Sequence, residues 1–560
     1  MRIKIKRLFS VIALSVAVLV ALATPGNAVM LQTIGTYRTG VFDASAAEIP
    51  TYDPNTRRLF VANANSSVDI ISIQNPNNPV LFGSIDISPY GSNVNSVAFN
   101  NGVLAAAIDA DNPQDPGKVV FFNANGNFLQ SVTVGAMPDM LTFTPDGNRI
   151  LVANEGEPNN SYDVDPEGSV SIIDLFDSQG RLSSVLLRLP FVNRNTAGLL
   201  NPSVVNLSFT KFNSQIDQLR SAGVRIFGPN ATVAQDLEPE YITVADDSQT
   251  AWVVLQENNA IAVLDLVNNQ ITDIIPLGFK DHSLAGNGFD ASDRDDSINI
   301  ANWPVLGMYQ PDGFAVYKVR GRTYLVTANE GDARDYSGFS EERRLGNNNY
   351  ILEPTVFPNA TTLKNNSNLG RLTVTTALGA NQENRFEQIY AFGSRSFSIW
   401  EWNDQAKTLN QVYDSGEDLE RITAERFPDF FNSNHRQNSF DTRSDDKGPE
   451  PEDVKIARIN GKFYGFIGLE RIGGVMVYDI SNPQQPTFVN YLNNRNFTVP
   501  TSINGQTNPD AGDLGPEGLL FIPAQDSPNR QPLLVVTNEV SGTTTLFAVN
   551  GSRSRIPFLR

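Results

Sequence analysis

The chain has 560 residues, with 42 Lys+Arg against 61 Asp+Glu, a formal charge of −19, 40% apolar residues and 9% aromatics. That apolar content supports a sizeable core and excludes an acidic disordered tail, while the negative charge argues against nucleic acid as a partner. With no cysteine and only His282 and His435, disulfides, thiolate zinc sites, iron–sulfur clusters and a three-histidine metal centre are excluded, so any metal chemistry rests on oxygen ligands, calcium or magnesium before zinc.

Residues 1–28 read as a secretory signal peptide. Arg2, Lys4, Lys6 and Arg7 precede an apolar run from Leu8 to Ala23, and Gly26 and Ala28 form a small-x-small site, with cleavage expected after Ala28. The run falls short of the roughly 20 residues a membrane span needs. Cleavage leaves 38 basic against 61 acidic residues, a charge of −23 over 532 residues. The mature protein is expected to be secreted or periplasmic, monomeric and without a stable membrane span, with residues 29–560 forming one domain.

From there one unit recurs. Leu31 to Tyr37 reads as a lone strand able to complete the last unit. Weak copies begin near Ala47-Glu48, with Asn63 at a strand end, and near Asn95, with Asp109. A clear copy runs Pro138-Asp139, Ile150-Leu-Val-Ala-Asn-Glu155 and Val170 to Asp174, followed by one with Pro239-Glu240, Trp252 to Glu257 and Ile261 to Asp265. Others start at Pro311-Asp312, Pro451-Glu452 and Pro516-Glu517, with second strands ending in Asn329-Glu330, Leu469-Glu470 and Asn538-Glu539. One more centres on Ile389 to Gly393 and Phe397 to Glu401. Short strands with turn chemistry at each junction and almost no helical periodicity predict an all-β fold. It is a β-propeller of seven or eight four-stranded blades, eight by repeat count, whose N-terminal strand closes the last blade. Large insertions are expected near 176–235, 279–310, 331–386 and 415–450, the first holding a short amphipathic helix with Phe212, Ile216 and Leu219 on one face.

Several stretches resemble a known family. Ala153-Asn-Glu-Gly-Glu-Pro158, Gln235-Asp-Leu-Glu-Pro-Glu-Tyr241, Ala328-Asn-Glu-Gly-Asp-Ala-Arg-Asp-Tyr336, Phe392-Gly-Ser-Arg-Ser-Phe397, Lys447-Gly-Pro-Glu-Pro-Glu452 and Asp513-Leu-Gly-Pro-Glu-Gly518 look like motifs of the choice-of-anchor I family, also labelled mesenchyme-specific cell-surface glycoprotein-like. The resemblance implies a secreted or surface-attached β-propeller with a variable C-terminal anchor. The segment Arg555 to Arg560 shows no anchor, which favours a soluble form. Some relatives carry a phosphatase-like label.

In a propeller the first strand of each blade lines the central channel. Glu48, Asp139, Glu240, Asp312, Glu452 and Glu517 should therefore ring one channel mouth, with the strand-two termini Glu155, Glu257, Glu330, Glu470 and Glu539 one hairpin away. So many carboxylates need cations, arginines or protons to coexist; Arg334, Arg395, Arg471 and Lys447 lie beside them in sequence, and Ca2+ is the other natural compensation. Two acidic loops are further metal candidates: Asp290, Asp293 and Asp295, and the run Asp163, Asp165, Glu167 to Asp174, spaced like a twelve-residue calcium loop but running into a strand. His435, in a polar insertion, is a candidate acid/base. No Gly-x-Ser-x-Gly elbow, Walker loop or dinucleotide glycine pattern is present. Two functions fit. One is a binding or scaffold module whose mouth holds a divalent cation or small ligand and whose partner is that ligand or an extracellular protein. The alternative is a calcium-dependent phosphoesterase or esterase, with Arg395 or Arg334 orienting an anionic group.

Overall fold

In the computed structural model, which describes residues 29–63, 66–176 and 200–551, seven four-stranded antiparallel sheets account for most of the strands. Their inner strands are apolar on both faces because each sheet is covered by two neighbours: Val103–Ile108 is buried at every position. The outer strand Val80–Asp86 is largely exposed. This pattern of near-continuous apolar runs inside and polar strands outside is what radial stacking requires.

The first strands of blades one to seven are Pro50–Asp53, Val94–Asn100, Pro138–Phe143, Pro239–Val244, Phe314–Val319, Pro451–Ile459 and Pro516–Ile522. Each packs against the next, and the seventh returns to the first, so the ring closes. Closure is by sequence ends: Val29–Arg38 pairs antiparallel with Thr543–Gly551, from Val29 opposite Gly551 to Arg38 opposite Thr543. It becomes the outer strand of blade seven and covers an edge that would otherwise be open.

The repeat count of eight resolves to seven blades. Phe397 to Glu401 belongs to Ser396–Asn403, the third strand of blade five, whose partner Arg322–Asn329 lies before a 66-residue excursion. Tyr390–Ala391 belongs to that excursion, in a separate five-stranded sheet with Phe279–Asp281, Leu306–Met308, Glu342–Arg344 and Thr373–Thr375. Two expected insertions, 279–310 and 331–386, thus fold together over their own apolar cluster, which includes Phe289, Tyr350, Leu363 and Leu369. The amphipathic stretch forms a 3₁₀ turn, Thr210–Gln215, and a helix, Ile216–Ala222, that bury Phe212 and Leu219. The 415–450 segment contributes a helix, Asp418–Arg426, with Leu419 and Ile422 in the core. No described helix is long and apolar enough to cross a membrane. The signal-peptide reading falls on residues outside those described.

A local feature repeated around the ring aims the site. In blade three Pro138 pairs with Asn154 and Leu141 with Val152, so the first strand carries one extra residue at Asp139-Met140. The same bulge recurs at Pro239-Glu240, Pro451-Glu452 and Pro516-Glu517, and at Asn95 in blade two. Proline suits this position because it has no N–H to leave unpaired, and a bulge re-aims the side chain it carries. In blades three and seven the amide beyond the bulge is taken up by the preceding blade: Leu141 N donates to Ser96 Oγ at 3.4 Å and Leu519 N to Asp453 Oδ2 at 2.9 Å.

Candidate functional site

The bulges and the residues just before blades one and five bring Glu48, Asp139, Glu240, Asp312, Glu452 and Glu517 to the wall of one cavity of about 340 Å³. Asn95 occupies the corresponding position of blade two, so the ring has one neutral member. Sequence reasoning noted Asn95 as the start of a weak repeat but passed over it in naming acids. Gln256 and Asp453, each one residue from a repeated acid, and Asp332, two residues after Glu330, are also on the wall and were missed because they lie off the repeated position.

The strongest charges felt by each of the six acids are other carboxylates. Burial, with Asp109 and Glu157 nearby, raises Asp139 to about 7; burial, with Glu539 and Asp139, raises Glu48 to about 8 against an opposing hydrogen bond from Ser45. Burial and like charge push Glu240, Glu452 and Glu517 well above the usual carboxylate range. Burial raises Asp312 in the same way, although the neighbouring Glu452 carboxyl opposes the shift. Among the described residues Glu240 Oε2 and Glu452 Oε2 are buried without a hydrogen-bond partner, and Glu452 as a whole is 7% exposed. Carboxylate oxygens of Asp312, Glu330 and Glu452 lie within 4.8 Å of one another.

The second tier divides. Glu330 lines the cavity and receives Lys447 Nζ at 2.7 Å and Gln256 Nε2 at 3.0 Å; burial raises it to about 7 despite the lysine. Glu470 and Glu539 meet at His435, whose Nδ1 is 2.9 Å from Glu470 and 3.5 Å from Glu539. Arg471, on the cavity wall, contacts both His435 and Glu470, the latter at 2.9 Å. Beneath them Glu450 is gripped by Arg443 at 2.6 Å, Arg471 at 2.7 Å and Lys447 at 3.3 Å. Burial opposes its ionisation, but those three charges outweigh it and hold the carboxyl far below its ordinary value. Glu155 lies in the field of Asp139 and Glu157 and is raised, first by burial. Glu257 is raised by burial with Arg334 opposing. Compensation thus falls on the second tier of blades five and six, where Lys447 meets Glu330 and Arg471 meets Glu470, whereas among the described residues none of the six ring acids forms an ion pair.

The other sequence candidates lie elsewhere. Arg334 is buried against Asp236 at 3.1 Å and Glu238 at 3.0 Å. Arg395 joins Glu420 at 2.5 Å and the carbonyls of Asp290, Ser444 and Asp446, each at 2.7 Å. Both guanidinium groups hold insertions together and neither lines the cavity; the cationic side chains at the mouth are Lys447 and Arg471. Asp163 bonds Asn159 Nδ2 at 2.8 Å, Glu167 accepts from Ser208 Oγ at 3.0 Å and Asp174 pairs with Arg149 at 2.7 Å. None of Asp163, Asp165 or Glu167 joins a convergent acidic cluster among the described residues. Asp290 and Asp295 converge, with Asp441 rather than Asp293.

Two curated relatives share part of the chain. Gigasin-3a of Magallana gigas is 31% identical over 195 residues, covering 34% of this chain and 67% of that protein. Mesenchyme-specific cell surface glycoprotein of Strongylocentrotus purpuratus is 28% identical over 332 residues, 52% of this chain and 42% of that protein. The chain thus spans less than half the length of the second. Among solved structures, the β-propeller domain of Myceliophteria thermophila Cps50 (Swd1) aligns over 93% of this chain and 100% of that one at 8% identity and TM-score 0.41. The choice-of-anchor I domain model matches residues 48–483, from the first ring acid to the turn after blade six's third strand, Val475–Asp479. The chain belongs to the choice-of-anchor I family.

Proposed function

We propose that this protein is an extracellular binding module whose channel mouth holds a divalent cation, calcium before magnesium, and presents it to a small ligand. The extracellular setting follows from the family and from a relative named as a cell surface glycoprotein. The observation that carries the binding reading is the orphaned Glu452 Oε2, buried on the cavity wall within a cluster shared with Asp312 and Glu330. Unpaired buried carboxylate oxygens are costly, and an all-oxygen donor set of this density suits a hard cation. When bound, the cation would supply positive charge to the ring. The protein's own part is to hold the acids by their bulges and to keep Lys447 and Arg471 at one side, where they can receive the anionic end of a ligand.

Calorimetric titration of the chelator-treated protein with CaCl2 tests this. Binding is expected in the wild type, at least tenfold weaker in Glu452→Gln. Wild-type affinity in that variant would refute the channel assignment. A hydrolase reading is supported by the contact between His435 and Glu470 beside the mouth, an arrangement able to hold a proton acceptor in place. Calcium-dependent turnover of chromogenic phosphate or carboxylate esters that disappears in His435→Ala would support that reading over simple binding.

A further inference from the structure

A second acidic cluster lies outside the channel, where the excursion of 279–310 meets the loop after the Asp418–Arg426 helix. Carboxylate oxygens of Asp290, Asp295 and Asp441 come within 4.8 Å of one another. Ion pairs sort the aspartates around this cluster. Asp293 is taken by Arg371 at 2.9 Å, Asp445 by Arg371 and Arg344 at 2.9 Å each, and Asp446 by Arg443 at 3.0 Å. Among the described residues no lysine or arginine side chain forms an ion pair with Asp290, Asp295 or Asp441; Arg395 bonds the Asp290 carbonyl rather than its carboxylate and is itself paired with Glu420.

The second observation is at Asp441. It is 3% exposed, its Oδ1 accepts from Ser444 Oγ at 2.5 Å, and its Oδ2 has no partner. Asp290 is fully buried and is positioned by the backbone N–H of Asn299 at 2.6 Å. Two buried carboxylates, one with an orphaned oxygen, converge with a third from a part-exposed loop position, a concentration of like charge that a cation would offset.

We infer that Asp290, Asp295 and Asp441 form a structural divalent-cation site, matched to calcium by its carboxylate donors, which pins the 279–310 excursion to the 432–446 loop. Three carboxylates leave several of calcium's 6–8 positions for carbonyls and water. The site stands apart from the channel and does not depend on its occupant.

The test is calcium titration and thermal melting of the full-length, chelator-treated protein and of four variants. Asp295→Asn and Asp441→Asn are each expected to lose one bound ion per chain and the associated rise in Tm. Asp293→Asn should keep both, whereas Glu452→Gln should lose the channel ion and keep the Asp295-dependent ion with its rise in Tm. Asp295 is part-exposed, so its variant reads out the site even if Asp441→Asn fails to fold. Unchanged stoichiometry and Tm shift in Asp295→Asn overturn the inference, as does a wild type that takes up no ion at millimolar calcium. Loss of all binding in Glu452→Gln with none in Asp295→Asn leaves the channel reading standing and this one rejected.

Discussion

Arg334 illustrates what a single residue does in so acidic a chain. Its guanidinium, 1% exposed, lies between Asp236 and Glu238 and 4.6 Å from the ring of Phe227. Arg225, 4.3 Å from the same ring, is joined to Glu341 in a neighbouring buried pair. Truncating one partner of a buried pair leaves the others charged and unpaid in a medium of low polarity. Arg334→Ala is therefore expected to cost about 3–5 kcal/mol, read as a shifted urea midpoint. Arg294, 60% exposed beside Asp293, provides the contrast: its alanine variant should change stability by less than about 1 kcal/mol because water already screens the pair. Arg471 and Lys447 fall nearer the buried case, since both also grip the buried Glu450, so their loss should lower stability as well as weaken ligand capture at the mouth.

At the scale of the element, the recurring unit is a strand begun by proline and an acid, with one residue too many. The glycine that follows in blade seven shows how tightly this packs. A Cβ on Gly518 would lie 2.5 Å from Pro50 Cδ and 2.6 Å from the Glu48 carbonyl oxygen, so Gly518→Ala must push blade seven away from blade one. Overpacking of this kind costs about 1–3 kcal/mol. A lowered Tm is the expected outcome, together with weaker calcium binding, since Glu48 and Glu517 flank that junction. If Gly518→Ala lowers Tm and leaves calcium affinity unchanged, the junction does not govern the geometry of the mouth.

For the whole molecule, the ring converts repetition into a concentrated charge, and stability should report it. Asp139 and Glu330 are raised to about 7 and Glu48 to about 8, each first by burial, from ordinary values near 4 to 4.5. A carboxyl raised on folding binds its proton more tightly in the native state. Its contribution is therefore complete below its ordinary value and disappears as pH rises through the folded one. The cation-free protein is expected to lose Tm steadily from about pH 5 to pH 9. A Tm that is flat or rising over that range in chelator would show that these groups are ionised in the folded state without a cation.

The legible part of this fold was the part set by local chemistry. Alternation, turn residues and the Pro-acid repeat were enough to predict blades, the closing pair of strands and the identity of the ring acids, because in a radial array equivalent positions face the same way. Even the error in blade number has a local cause: Tyr390–Ala391 is a genuine strand, and only its partners, Leu306–Met308, more than 80 residues earlier, and Thr373–Thr375, assign it to the excursion rather than the ring. What depended on tertiary structure was compensation. Arg334 and Arg395 stand beside acidic motifs in sequence yet are spent on buried contacts, Glu450 is ionised by three cations from different positions, and Asp441 meets Asp290 across 151 residues of chain. Sequence alone determined which residues bear charge and which way the strands present them. Which charges neutralise one another was decided by the packing of insertions, since Coulomb energy depends on distance through space and on burial, neither of which is a property of spacing along the chain.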